Sequence, residues 1–157
     1  MSRAYTSRRL GIVAALVNKL KDIDGTGEFL TNLNENVSPR LKFWDEVEEF
    51  PAVHLNAGSE TREYQTGGYK DRFLSVTIRC YVQAEDAVEA LDELMEDVET
   101  TLEDNSRLRY KDRNNVDQYT QQITVVSLDT DEGVLEPLGV GEMLIAVSYT
   151  HLTLPTN

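Results

Sequence analysis

Between Phe73 and Val82 the chain alternates. Leu74, Val76, Ile78, Cys80 and Val82 fall on one side of an extended strand, and Phe73, Ser75, Thr77, Arg79 and Tyr81 on the other. The period then changes. From Ala84 to Asp104 the apolar positions are Ala84, Ala87, Val88, Leu91, Leu94, Met95, Val98 and Leu102, spaced three or four apart as on one helical stripe. So short a turn between strand and helix makes them neighbours, the helix lying back across the sheet.

The same patterns predict the other elements. Residues 3–22 read as a helix in which Leu10, Val13, Val17 and Leu20 form one stripe, while Ile12, Leu16 and Ile23 begin a second. That is more apolar surface than a helix on one sheet needs. It implies either deep burial or a helix held between its own sheet and a neighbouring subunit. Asp24-Gly25-Thr26-Gly27 ends it. Glu28–Glu49 has no clean period, with a short strand expected at Arg40–Phe43 and Phe43 and Trp44 as anchors. Phe50–Leu55 reads as a strand whose His54 points away from Val53 and Leu55, a surface or hydrogen-bonded imidazole. Asn56–Asp71, centred on Thr66-Gly67-Gly68, reads as a long hairpin or flexible loop. Arg107–Tyr119 is expected to be a solvated loop or edge strand. In Gln122–Asp129, Ile123, Val125 and Ser127 alternate with Thr124, Val126 and Leu128. Gly133–Gly141 is a turn-rich connection, and Glu142–Tyr149 a last strand with Met143, Ile145, Val147 and Tyr149 on one face. The sum is a single α+β domain: a mostly antiparallel sheet of about four to six strands with two main helices packed on one face.

Composition narrows the chemistry. The 157 residues are 40% apolar and 27% charged, ordinary for a soluble domain, and no apolar run approaches the ~20 residues of a membrane span. The opening Met1–Arg9 lacks the apolar core of a secretory leader, so synthesis in the cytoplasm is expected. Net charge is −13 and unevenly placed: residues 1–23 carry five bases and one acid, the remainder ten bases and 27 acids. This argues against a general nucleic-acid binder, which needs a basic footprint, but not against a surface past which nucleic acid slides without sticking. Arg107, Arg109, Lys111 and Arg113 around Tyr110 form a local basic run, diluted by Asp112 and Asp117. Cys80, the lone cysteine, lies on the apolar side of its strand and reads as a packing residue.

No nucleophile elbow, His-Glu-x-x-His, Cys-x-x-Cys or dinucleotide glycine fingerprint is present. Asp22, Asp24, Thr26 and Gly27 match half of a calcium loop, but its twelfth position is Leu33 instead of a glutamate, so the stretch reads as a turn. Asp129-x-Asp131-x-Gly133 is read the same way. The second helix holds ten acids and no base: Glu85, Asp86, Glu89, Asp92, Glu93, Glu96, Asp97, Glu99, Glu103 and Asp104. Paired carboxylates do acid–base work only where the environment splits their pKa values. Here the reading is a solvated face, or a surface turned to DNA in a channel or to the basic first helix of another copy. No catalytic residue, metal or cofactor is expected.

Three stretches carry a resemblance: Phe50–Thr61 ahead of the long strand, Glu89–Glu99, and Val126–Met143 with its Ser-x-Asp-Thr-Asp-Glu-Gly segment. In this order, over roughly residues 8–149, they resemble the tail terminator, or tail completion, proteins of phages with long non-contractile tails. The resemblance implies a non-enzymatic α+β subunit of the virion. It would form a ring, six copies in the expected case, at the head-proximal end of the tail tube. Its implied partners are its own copies, the tail tube protein and a head-completion (neck) protein, with DNA passing through unbound and no membrane involved. The rival readings are another neck or tube subunit, a small cytoplasmic regulatory or ligand-binding α+β domain, and an enzyme using the acid pairs. Subunit contacts or a channel wall are expected at Arg8, Arg9 and Lys19, at Phe73, Arg79 and Tyr81, and at Glu89, Glu93 and Glu96. Tyr149–Asn157 reads like a translated sequencing adapter, so residues 150–157 are expected to be a non-native or disordered tail to a domain of residues 1–149.

Overall fold

The computed structural model describes residues 7–41, 46–64, 66–67 and 69–152. Helix α1 (Arg8–Leu20) is capped by the Ser7 hydroxyl, which accepts from the Leu10 N–H at 3.0 Å. Strands β1 (Val37–Ser38), β2 (Ala52–Tyr64) and β3 (Tyr69–Gln83) precede helix α2 (Ala87–Asp104). A small hairpin, β4 (Arg109–Lys111) and β5 (Asp117–Tyr119), leads to β6 (Gln122–Thr130) and β7 (Leu138–Leu152). Five strands make one sheet in the order β1-β2-β3-β7-β6, with β1 parallel to β2 and the other pairs antiparallel. The α+β class and the antiparallel sheet are those the pattern predicts.

One core holds the layers together. The alternating residues Leu74, Val76, Ile78, Cys80 and Val82 of β3 and Met143, Ile145, Val147 and Tyr149 of β7 are buried with Ile12 and Leu16 of α1 and Leu91, Leu94 and Val98 of α2. Each fully buried side chain of this size contributes roughly 1.5–3 kcal/mol. Strand β7 begins at Leu138, inside the stretch whose glycines read as a turn. Those glycines let α2 approach: a Cβ on Gly141 would lie 2.6 Å from Met95 Sδ, and one on Gly139 would lie 3.1 Å from Ala87 O. The strand also runs to Leu152, beyond the expected end at Tyr149, because Tyr69–Asp71 offer pairing partners.

Other boundaries shift for local reasons. Helix α2 starts at Ala87 because Asp86 caps it, accepting from the Glu89 N–H at 3.1 Å, while the Ala84 N–H turns away to Pro137 O at 2.9 Å. On α1 the buried stripe is Ile12, Val13, Leu16, Val17 and Leu20. Leu10, expected within it, lies about 90° round the helix from its centre and is 59% exposed. Asn56–Asp71 is almost all strand: β2 and β3 form a long hairpin turning at Thr66–Gly67. The first short strand is Val37–Ser38, with Arg40 and Leu41 outside any strand; Phe43 and Trp44 lie outside the described residues. In β6 a bulge between Val125 and Ser127 inserts one residue. The alternation slips by one there, so Leu128, not Ser127, pairs with inward-facing Met143.

Arg107–Tyr119 follows the strand half of its expectation: it is a two-stranded hairpin with Leu108 and Tyr110 buried, not a solvated loop. Thr120 ties its base, its hydroxyl accepting from the Leu108 N–H at 2.8 Å and donating to Ser106 O at 2.7 Å. Asp112 ties its tip, accepting from the Asn114 and Val116 N–H groups at 2.9 and 3.0 Å and from Gln118 Nε2 at 3.0 Å. The hairpin sits on α1 at Gly11, where a Cβ would fall 2.2 Å from Lys111 O.

Gly11→Ala should therefore destabilise the protein by about 1–3 kcal/mol through overpacking, although alanine is the better helix former. A lower urea midpoint is the expected readout. An unchanged or higher midpoint would show that the hairpin is not seated on this glycine.

Candidate assembly surfaces

The outward side of α2 is an acidic ridge. Glu89, Asp92, Glu96, Glu103 and Asp104 are exposed, and Glu93 and Glu99 partly so. No base occurs between Arg79 and Arg107 to compensate them. The Glu99 carboxyl is raised above its ordinary value by burial and then by the charges of Glu103 and Glu96.

Asp97 does not belong to that ridge. It is 3% exposed and accepts from the Leu30 N–H at 3.1 Å, the Thr31 N–H at 2.7 Å and the Thr31 hydroxyl at 2.6 Å. It thus ties the loop after α1 to the middle of α2. The spacing Leu94, Asp97, Thr101 puts it on the flank of the apolar stripe, a signal that sequence reasoning missed by grouping residues by charge.

The bases of α1 are mostly engaged within the subunit. Arg9 donates from Nη2 to Gly58 O. Lys19 Nζ lies 3.7 Å from Asp22 Oδ2, an exposed pair of little energetic weight. Arg8 is partly buried, and its charge acts on Tyr110 and Asp112 of the hairpin.

On β3 the outward residues separate. Phe73 is 38% exposed. Arg79 Nε donates to Glu142 Oε2 of β7 at 3.2 Å. Tyr81, expected at the surface, is buried and meets His54 edge-on, with ring centroids 5.4 Å apart. The segment ahead of β2 folds over that end of the sheet: Asn36 Nδ2 donates to Glu49 O and Pro51 O at 2.9 and 3.1 Å, and Arg40 O lies 2.9 Å from His54 Nδ1. His54 is therefore a hydrogen-bonded core imidazole. Phe73 and Arg79 occupy the sheet face opposite the helices, so they share no surface with Glu89, Glu93 and Glu96.

A polar node closes the sheet at the base of the β2–β3 arm. Glu60 accepts from the Tyr149 hydroxyl through Oε1 and from Arg62 Nε at 2.7 Å through Oε2, with Arg72 Nη1 3.8 Å away. The Arg72 guanidinium lies 5.8 Å from the Tyr149 ring centroid. Burial, then the Glu60 bond, push the Tyr149 hydroxyl up to about 12. Burial would also raise the Glu60 carboxyl, but the bonds from Tyr149 and Arg62 and the charges of Arg62 and Arg72 outweigh it and hold it below its ordinary value.

Among the described residues, the remaining polar groups close turns or are buried in packing. Asp24 accepts from the Thr26 N–H at 3.0 Å and the Thr26 hydroxyl at 2.6 Å, closing a turn, and Asp131 does the same for Leu135 at 3.2 Å. Cys80 is buried, its thiol pushed up to about 12 by that burial. Among the described residues no cluster of His, Cys, Asp or Glu could hold a metal ion, and no helix is long and apolar enough to cross a membrane.

Comparison with known proteins places the fold. A family model described as Bacteriophage Tail Tube Terminator Protein matches residues 6–155. Tail tube terminator protein p142 of Escherichia phage T5 is 32% identical over 149 residues, covering 90% of this chain and 92% of the relative. A solved chain from the virion of a native gene transfer agent particle shares the fold, with a TM-score of 0.57 at 11% identity over 93% of this chain and 100% of that one. The molecule is a structural protein of the virion tail, not an enzyme. It belongs to the bacteriophage tail tube terminator family.

Asp97→Ala should cost about 2–4 kcal/mol, because it strands the donors of Leu30 and Thr31. Urea unfolding measures it, and a loss under about 0.5 kcal/mol, the size of an ordinary surface change, would return Asp97 to the solvated ridge. Acid should act through Glu60. Its folded value lies below the ordinary 4.5, so its contribution is full above that pH and is lost as pH falls through the folded value. The melting temperature should drop on acidification below about pH 4.5, and less steeply in Glu60→Gln; equal slopes would remove Glu60 from the account.

Proposed function

We propose that this protein ends the tail tube as a ring, most simply of six copies, at the tube's head-proximal end. The ring stops tube polymerisation and presents a docking face to the head-completion protein. The match of residues 6–155 to the terminator family carries this reading. The subunit supports it in two ways. Its surfaces are unlike one another, as heterologous contacts that close by rotation require. Its net charge of −13 favours passage of DNA through the ring over retention of it.

Removing the protein from the assembling phage should yield tails that overrun their normal length, seen by electron microscopy. Uniform, head-competent tails in its absence would overturn the reading. A label on the protein should mark one end of purified tails, whereas a tube subunit would decorate their whole length.

A further inference from the structure

The two sides of the sheet differ in shape and charge. On the α1 side, Leu10, Val13, Ala14, Val17, Pro39 and Ala57 line an open groove of about 670 Å³, bounded by α1 and β2. Leu10 stands over it 59% exposed. Arg9 is its one charged lining residue.

The far edge is the converse. Strand β6 lies three steps from β2, about 14 Å across the sheet, and nothing pairs with its outer side among the described residues. It carries Val126 and Leu128, 57% and 45% exposed. The charges that follow it in the chain are negative: Asp129, Asp131 and Glu132 come directly after, and no Lys or Arg occurs from residue 114 onward.

The geometry points to a head-to-tail contact in which the β6 edge of one copy, led by Val126 and Leu128, seats in the α1–β2 groove of the next. This rests on the ring reading and says how the ring is built. The apolar pairs supply burial. The Arg9 rim meeting the acids beside β6 sets orientation, since reversed docking would carry those acids away from the groove's one charged residue. Groove and edge sit on opposite sides of one sheet, so each copy offers both halves and the contact repeats around the ring.

Single cysteines test it, because Cys80 is buried. Ala14→Cys and Leu128→Cys chains are produced together in assembling phage, and the tails are treated with a short bismaleimide. Cross-linked pairs are expected from the mixture and from neither variant alone, and the double variant should give a ladder of multimers. Ala14→Trp, at an exposed helix position, should fill the groove and give overlong tails without lowering the subunit's melting temperature. Normal tails ending in rings, with no cross-link in the mixture or with Ala14→Trp harmless, would overturn this contact and leave the ring reading standing. The absence of any ring at the tail end in the unmodified phage would overturn both.

Discussion

Two fifteen-residue strands, β3 and β7, pair along their whole length, and the rest of the molecule leans on that ladder. Alternation in both strands gives the sheet one apolar face, and that face fixes where the helices go. Glycine at positions 139 and 141 brings α2 down onto β7. Asp97 then reaches from α2 to hold the loop behind α1, and Gly11 seats the β4–β5 hairpin on α1.

Much of this arrangement is written in simple periodicity. The alternation from Leu74 to Val82 and the three-and-four spacing from Ala87 to Leu102 fold as they read except at Val88, which lies off the buried stripe and is 41% exposed. What stays hidden depends on contacts between distant segments. The β6 bulge reverses which of Ser127 and Leu128 lies on the Met143 side of the sheet, although both stay exposed, and no local residue announces it. Tyr81 looks like an outer-face residue until the segment before β2 folds over it. Glycine at 139 and 141 signals a turn to the eye but serves helix packing.

The surfaces were less legible than the core for the same reason. A charge count places Asp97 with its acidic neighbours, and only the fold reveals two backbone N–H groups aimed at it. The α1 bases look like a free positive face, yet Arg9 and Lys19 each find a partner within the subunit. What α1 leaves open is mainly apolar. Burial, rather than the +4 balance of residues 1–23, governs what this side of the molecule can meet.

The long ladder also joins the two ends of the subunit. Fifteen paired residues span about 50 Å, from the β2–β3 tip at Thr66–Gly67 to the end beneath α2, and the β3–β7 pairing has no register break along that span. The tip and the helix-bearing end, where α2 carries its row of carboxylates, are therefore joined by one continuous set of backbone pairings.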